Sequence, residues 1–248
     1  MFNDRLFHSS LTAGASMEYL ADMNKHGTIS DITRWAEETL PGEDARARSV
    51  ITLCRKAGLF TKGGRGRNAP MMMLTDFPTA ILAVLHPGLV TQVDEAVKGY
   101  WGLPFSMLTI DDPGRVGPVQ MFPEDLRLNP NVLPYINRFN LSLFDRDNLL
   151  SVLTVLFSDF APHHDFHGGD FIELQTAGEK VAVQITLGGY RVGADGWALE
   201  GPEHSTVTVT FGDINVFNLR AVKTTRTIYG DALNALSLMT PNLSKVEE

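Results

Sequence analysis

Residues 44–70, DARARSVITLCRKAGLFTKGGRGRNAP, decide how this 248-residue chain is read. They hold Arg46, Arg48, Arg55, Lys56, Lys62, Arg65 and Arg67 against a single acid, Asp44, in a protein of formal net charge -8. Ala47, Val50, Ile51 and Cys54 recur at i, i+3, i+4 and i+7, the spacing of one apolar stripe on a helix. That stripe leaves Arg46, Arg48, Ser49, Thr52, Arg55 and Lys56 mostly off the buried face. Gly58 fits the helix C-terminus, and Leu59 and Phe60 begin a short extended segment. Gly63, Gly64 and Gly66 permit a tight reversal, after which Met71, Met73 and Leu74 can form a return strand. A glycine-rich tip carrying Arg65 and Arg67 has little bulk and two cations, which suits contact with phosphates or entry into a DNA groove.

Two further amphipathic segments precede it. Met17, Leu20, Ala21 and Asn24 share one helical face, and Ile29, Ile32, Trp35, Ala36 and Leu40 share another. Trp35 on such a face reads as core rather than as a base-stacking platform. The order is then three helices and a basic hairpin. On ISDITRWAEETL (29–40) as supporting helix, EDARARSVITLCRKAGLF (43–60) as recognition helix and exit, and TKGGRGRNAPMMMLT (61–75) as wing, the chain resembles the winged helix-turn-helix regions of bacterial and prophage regulators. The resemblance covers roughly residues 14–86, about a third of the chain.

The resemblance implies a sequence-specific binder of double-stranded DNA, a transcriptional regulator of bacterial or phage origin acting as a homo-oligomer. Arg46, Arg48, Ser49, Thr52, Arg55 and Lys56 would face the major groove or flanking phosphates, and Lys62, Arg65 and Arg67 the backbone or minor groove. Two alternatives stay open: a phage structural or packaging protein that recognises DNA in the manner of a small terminase, and a winged helix that binds protein.

Composition bounds the rest. Hydrophobic residues make up 44% and charged residues 20%, enough apolar content for a real core. Residues 1–87 carry ten Lys/Arg against nine Asp/Glu, so the remaining eleven bases face twenty acids in 88–248. The acidity lies away from the basic run, and a groove feels a potential screened over about 8–10 Å. The lone Cys54 excludes an internal disulfide and falls on the apolar stripe, which predicts a buried structural thiol. The first residues have no continuous apolar run, and the apolar stretch 71–85 is broken by Asp76 and Pro78. No signal peptide, no membrane span and a cytoplasmic location are expected.

Five prolines (Pro113, Pro118, Pro123, Pro130, Pro134) mark a connector. The expected organisation is a winged helix-turn-helix domain with a following helix in 1–110, a Pro-rich connector in 111–134, and an oligomerisation or effector domain in 135–248. The second domain opens on a helix at 145–160, apolar nearly all round. A hairpin of 171–175 with 181–187 follows, then strand candidates at 190–192, 197–199, 206–211, 215–219 and 224–228, and a last helix at 230–239. The predicted fold class is α+β: an N-terminal winged helix-turn-helix followed by a helix and a small antiparallel sheet.

Tests for chemistry nominate no reaction. His163, His164 and His167 with Asp165 form the one metal-like cluster, but Pro162 and Gly168-Gly169 favour a loop, so these histidines are weak metal candidates only. GGRG matches neither the P-loop nor the dinucleotide fingerprint. There is no GxSxG and no HExxH. Neither an enzyme nor a cofactor is expected.

Overall fold

Thr28 starts the first described helix. Its N–H and its hydroxyl both donate to Oδ2 of Asp31, at 2.8 and 2.7 Å, so an acid in the first turn holds the entry. Helix α1 (Ile29–Thr39) buries Ile32, Trp35 and Ala36. Gly42, at φ 83°, supplies the left-handed turn that leads into α2 (Asp44–Lys56), which buries Ala47, Val50, Ile51 and Cys54. The α2 stripe is the one the spacing predicts; of the α1 stripe, Ile29 and Leu40 are only partly buried. The computed structural model describes residues 27–62, 72–111, 117–123, 148–160, 166, 169–188, 191–192, 198–199, 206–218 and 223–240. The expected helix at 17–26 lies outside them.

Helix α3 (Asp76–Leu85) is buried at every position. Its sequence, DFPTAILAVL, has no polar stripe, so it can only sit at the centre, and α1, α2 and the later helices surround it. Burying Phe77, Ile81, Leu82 and Leu85 stabilises the fold by about 1.5–3 kcal/mol for each side chain. A 3-10 turn (Val90–Gln92) leads into α4 (Val93–Trp101).

After α4 the chain becomes a strand, β1 (Phe105–Asp111), paired with β2 (Val119–Met121). Helix α5 (Leu149–Val155) begins where Oδ1 of Asn148 accepts the N–H of Ser151 at 3.0 Å, and it continues as a π turn (Leu156–Phe160). It packs on α3 and α4, with Phe157 stacked 6.3 Å from Phe77. The nearly all-apolar helix is thus buried within the chain.

Strands β3 (Phe171–Ala177), β4 (Lys180–Leu187), β7 (Thr206–Gly212) and β8 (Thr224–Tyr229) complete a fully antiparallel six-stranded sheet, in the order β2-β1-β7-β4-β3-β8. The short β5 (Arg191–Val192) and β6 (Ala198–Leu199) pair only with each other. The segment 215–219, expected as a strand, contributes a helical turn, α6 (Asn215–Asn218). Gly212 at φ 86° ends β7, and Oδ1 of Asp213 accepts from the Asn215 backbone N–H at 2.9 Å, which caps a turn instead of extending a strand. Helix α7 (Gly230–Ser237) closes the described chain.

The fold is therefore α+β, with helices in the N-terminal part and an antiparallel six-stranded sheet in the C-terminal part. One apolar core joins them, running from Ile32 through α3 and the sheet to Leu236. The boundary expected at 111 falls at the end of β1, and the sheet takes strands from both sides of it. The inner face of the sheet is a Val/Ile/Leu row, for example Leu108, Val209, Ile185, Ile172 and Ile228 in register across five strands. No described helix is long and apolar enough to cross a membrane.

Candidate nucleic-acid interface

Helix α2 is held on one side and open on the other. With Ala47, Val50, Ile51 and Cys54 turned inward, Ala45, Arg48, Thr52, Arg55 and Lys56 are exposed at i, i+3, i+7, i+10 and i+11, one continuous stripe. Lys62 is exposed as well. Its ammonium lies over Gly58, just past the helix end, where a cation meets the negative end of the helix dipole. Three cations, Arg55, Lys56 and Lys62, thus collect at the C-terminal end of α2.

The predicted residues are not all on that stripe. Arg46 turns back into the fold, where its Nη2 donates to the carbonyl oxygen of Gly88 at 2.9 Å and to that of His86, and its Nε lies 3.5 Å from Glu43 Oε2. Burial and the neighbouring Arg226 cation hold its pKa below the ordinary arginine value. Arg48 points outward but donates from Nε to Oε1 of Glu37 at 2.7 Å, and that hydrogen bond raises its pKa. Ser49 donates its hydroxyl to the carbonyl of Ala45 at 2.6 Å, a bond within the helix. Thr52, Arg55 and Lys56 are exposed on the stripe, with no side-chain partner among the described residues. Helical spacing separates buried from unburied positions but does not say which neighbours flank the stripe, so Arg46 could not be told apart from Arg48 in sequence.

His86, at the end of α3, joins this arrangement from below. Its Nε2 faces the Leu89 carbonyl at 3.3 Å and its Nδ1 the Tyr100 hydroxyl at 2.9 Å. A carbonyl only accepts, so Nε2 carries the proton and Nδ1 accepts from the tyrosine O–H. Burial lowers the pKa of His86, the bond to Leu89 opposes that, and the Arg46 and Arg226 cations lower it further. Burial likewise pushes the Tyr100 hydroxyl up to about 12.

The basic glycine-rich segment falls between the described residues Lys62 and Met72. Arg65, Arg67 and the loop tip, at 63–71, lie outside the described residues, but both stems are described. Phe60 and Met72 are buried in the core. Between them sits the carboxylate of Asp76, itself buried. Its Oδ1 accepts the Thr61 N–H at 2.9 Å, and its Oδ2 accepts both the Thr61 hydroxyl and the Met73 N–H at 2.6 Å. Among the described residues no β-ladder joins 59–62 to 72–74; this carboxylate ties the two stems instead. Asp76 reads in sequence as part of a helix start, and its reach to residue 61 could be found only in three dimensions.

The helix pair rests on the end of the chain. Trp35 Nε1 donates to the Ala232 carbonyl in α7 at 2.7 Å, and Gly27 N–H to the Met239 carbonyl at 3.1 Å. A Cβ on Gly27 would lie 2.7 Å from that of Met239, so only glycine fits this approach. The candidate metal histidines, His163, His164 and His167, lie outside the described residues, and among the described residues no three His, Cys, Asp or Glu side chains gather as a metal site.

The protein is α+β, with an exposed basic stripe on α2 and, beyond Lys62, the segment 63–71 flanked by residues 61 and 73 that Asp76 holds. Compared with protein-family models, curated proteins and solved structures, the chain gives no match.

Proposed function

We propose that this protein binds double-stranded DNA through a winged helix-turn-helix formed by α1, α2 and the loop 62–71, and that it serves as a bacterial or phage transcriptional regulator working as a homo-oligomer. The observation that supports this most is the continuity of the cationic stripe. Arg48, Thr52, Arg55, Lys56 and Lys62 face outward in sequence, and the segment bearing Arg65 and Arg67 lies between Thr61 and Met73, both bonded to Asp76. In this reading α2 lies against the groove with its C-terminal half toward the phosphates. Arg46 and Ser49 position the helix rather than touch DNA, because their polar atoms are engaged inside the protein.

Fluorescence anisotropy with mixed duplex DNA over a salt series tests the proposal. The wild type should bind with a steep salt dependence, and Arg55→Ala/Lys56→Ala and Arg65→Ala/Arg67→Ala should each flatten log K against log salt by about one for every phosphate contact removed. A folded wild type that binds no duplex at low salt would sink the reading. Mass measurement in solution separates a dimer, as expected of a regulator, from a closed ring of many subunits, as expected of a packaging protein.

A further inference from the structure

We propose that the outer face of the six-stranded sheet is a binding site for a neutral oligosaccharide, a site independent of the basic helix. Pairing register places Gln120, Thr109, Thr208, Thr186, Phe171 and Tyr229 in one row, a residue from each strand in spatial order. Neighbouring strands lie about 4.8 Å apart, so the row runs ~24 Å across the sheet. It presents an amide, three hydroxyls and then two aromatic rings, whose centroids are 6.3 Å apart.

Threonines on an outer sheet face are often no more than good strand formers in water. Here they line a trough. Ile214 and Phe217 form one wall, where the turn after β7 folds over the sheet and Val216 packs on Ala177 and Ala182. The trough encloses about 640 Å³, and Thr186 in its floor is only 5% exposed. That volume is within the ~300–1,000 Å³ of small-molecule sites.

The chemistry of the trough selects the ligand. Among the described residues no side chain lining it is charged, and Glu173, in the adjoining row, already accepts from Gln175 Nε2 and from the Thr227 hydroxyl. A charged ligand finds no partner among them. An extended peptide would need free backbone donors, and in the interior strands of a sheet these are taken by the ladders. Threonine hydroxyls donate and accept at once, and Thr186 and Thr208 lie Oγ1 to Oγ1 at 3.1 Å. Their natural complement is a ligand whose own hydroxyls do both, with apolar C–H faces to lie on Phe171, which describes a pyranose chain without charge.

An array of immobilised neutral glucans, mannans, xylans and galactans, with sulfated and uronic glycans alongside, tests this on the full chain. At least one neutral glycan should bind, with little salt dependence. Thr186→Val/Thr208→Val keeps branching and volume while deleting two hydroxyls, and should bind about tenfold more weakly or not at all. Thr224→Val, at the exposed start of β8, serves as a matched substitution off the site and should bind as the wild type does. The proposal is overturned if no neutral glycan binds the folded wild type, if only anionic glycans bind, or if the double valine variant, with an unchanged melting temperature, binds as well as the wild type.

Discussion

Arg226 and Glu43 stand 183 residues apart in sequence and meet at 2.9 Å, Nη2 to Oε2, joining the edge strand β8 to the turn before α2. Arg46 approaches the same carboxylate from the helix at 3.5 Å, and its other bonds run to the His86 and Gly88 carbonyls. The N-terminal end of the basic helix is therefore oriented by the sheet. Arg226 is on the inner face by register, opposite Leu174, which aims its guanidinium at the helices instead of at water.

His86 should report on this junction. Its folded pKa lies below the ordinary value of 6.5, so between the two the unfolded chain holds the proton more firmly. The stabilisation from the neutral ring is complete above about 6.5 and is lost as pH falls through the folded value. NMR titration should place the His86 midpoint below 6.5, and Arg226→Gln should move it upward by removing one of the opposing cations, at a stability cost of only about 0–1 kcal/mol because the pair is partly exposed. A midpoint unmoved in that variant would show that the two groups do not interact.

Removing the clamp at the loop base should be far more damaging. Asp76→Ala orphans the N–H groups of Thr61 and Met73 and lowers stability by about 2–4 kcal/mol, read as a shift of the urea midpoint. Thr61→Val, which removes one of the three donors and keeps the backbone bond, should cost about 1 kcal/mol. Equal losses in the two variants would contradict the clamp.

Trp35→Phe should test the hold of the last helix on the first. The ring is 1% exposed and its N–H reaches the Ala232 carbonyl, so the change leaves a small void and removes that hydrogen bond, about 1–3 kcal/mol together. The same burial predicts that Trp35 fluorescence is inaccessible to iodide in the native protein. Strong quenching would place the indole at the surface.

Cys54 should be silent. Burial pushes its thiol pKa up to about 12, so hardly any thiolate exists near neutrality. Ellman's reagent should fail to react with the native protein over minutes and should titrate one thiol after denaturation; fast native reaction would expose the helix stripe as misassigned.

Much of the architecture was legible in advance because it is periodic. The 3.6-residue stripes of 29–39 and 44–56, and the alternation of 171–187 and 206–212, each depend on residues a few positions apart. Where reading failed, a local signal was ambiguous: 215–218 is apolar enough for a strand, and Asp213 turns it into a helical cap. The apolar run beginning at Phe105 showed no alternation that marked β1. The threonine row had a trace in TVTVT, residues 206–210, but a single strand does not reveal that its neighbours place Thr109 and Thr186 beside Thr208.

By itself the sequence determined the helical stripes of 29–39 and 44–56, the extended character of 171–187 and 206–212, and that a dense cluster of cations sits beside a glycine-rich run. Those properties follow from side-chain spacing along one element. Only the tertiary structure decided that Arg46 bonds inward while Arg55 stays free, that Asp76 joins residues 61 and 73, and that six strands drawn from 105 to 229 align one residue each into a single row. Each of those depends on which distant segment arrives alongside, a matter of chain return and shared core packing that no local period encodes.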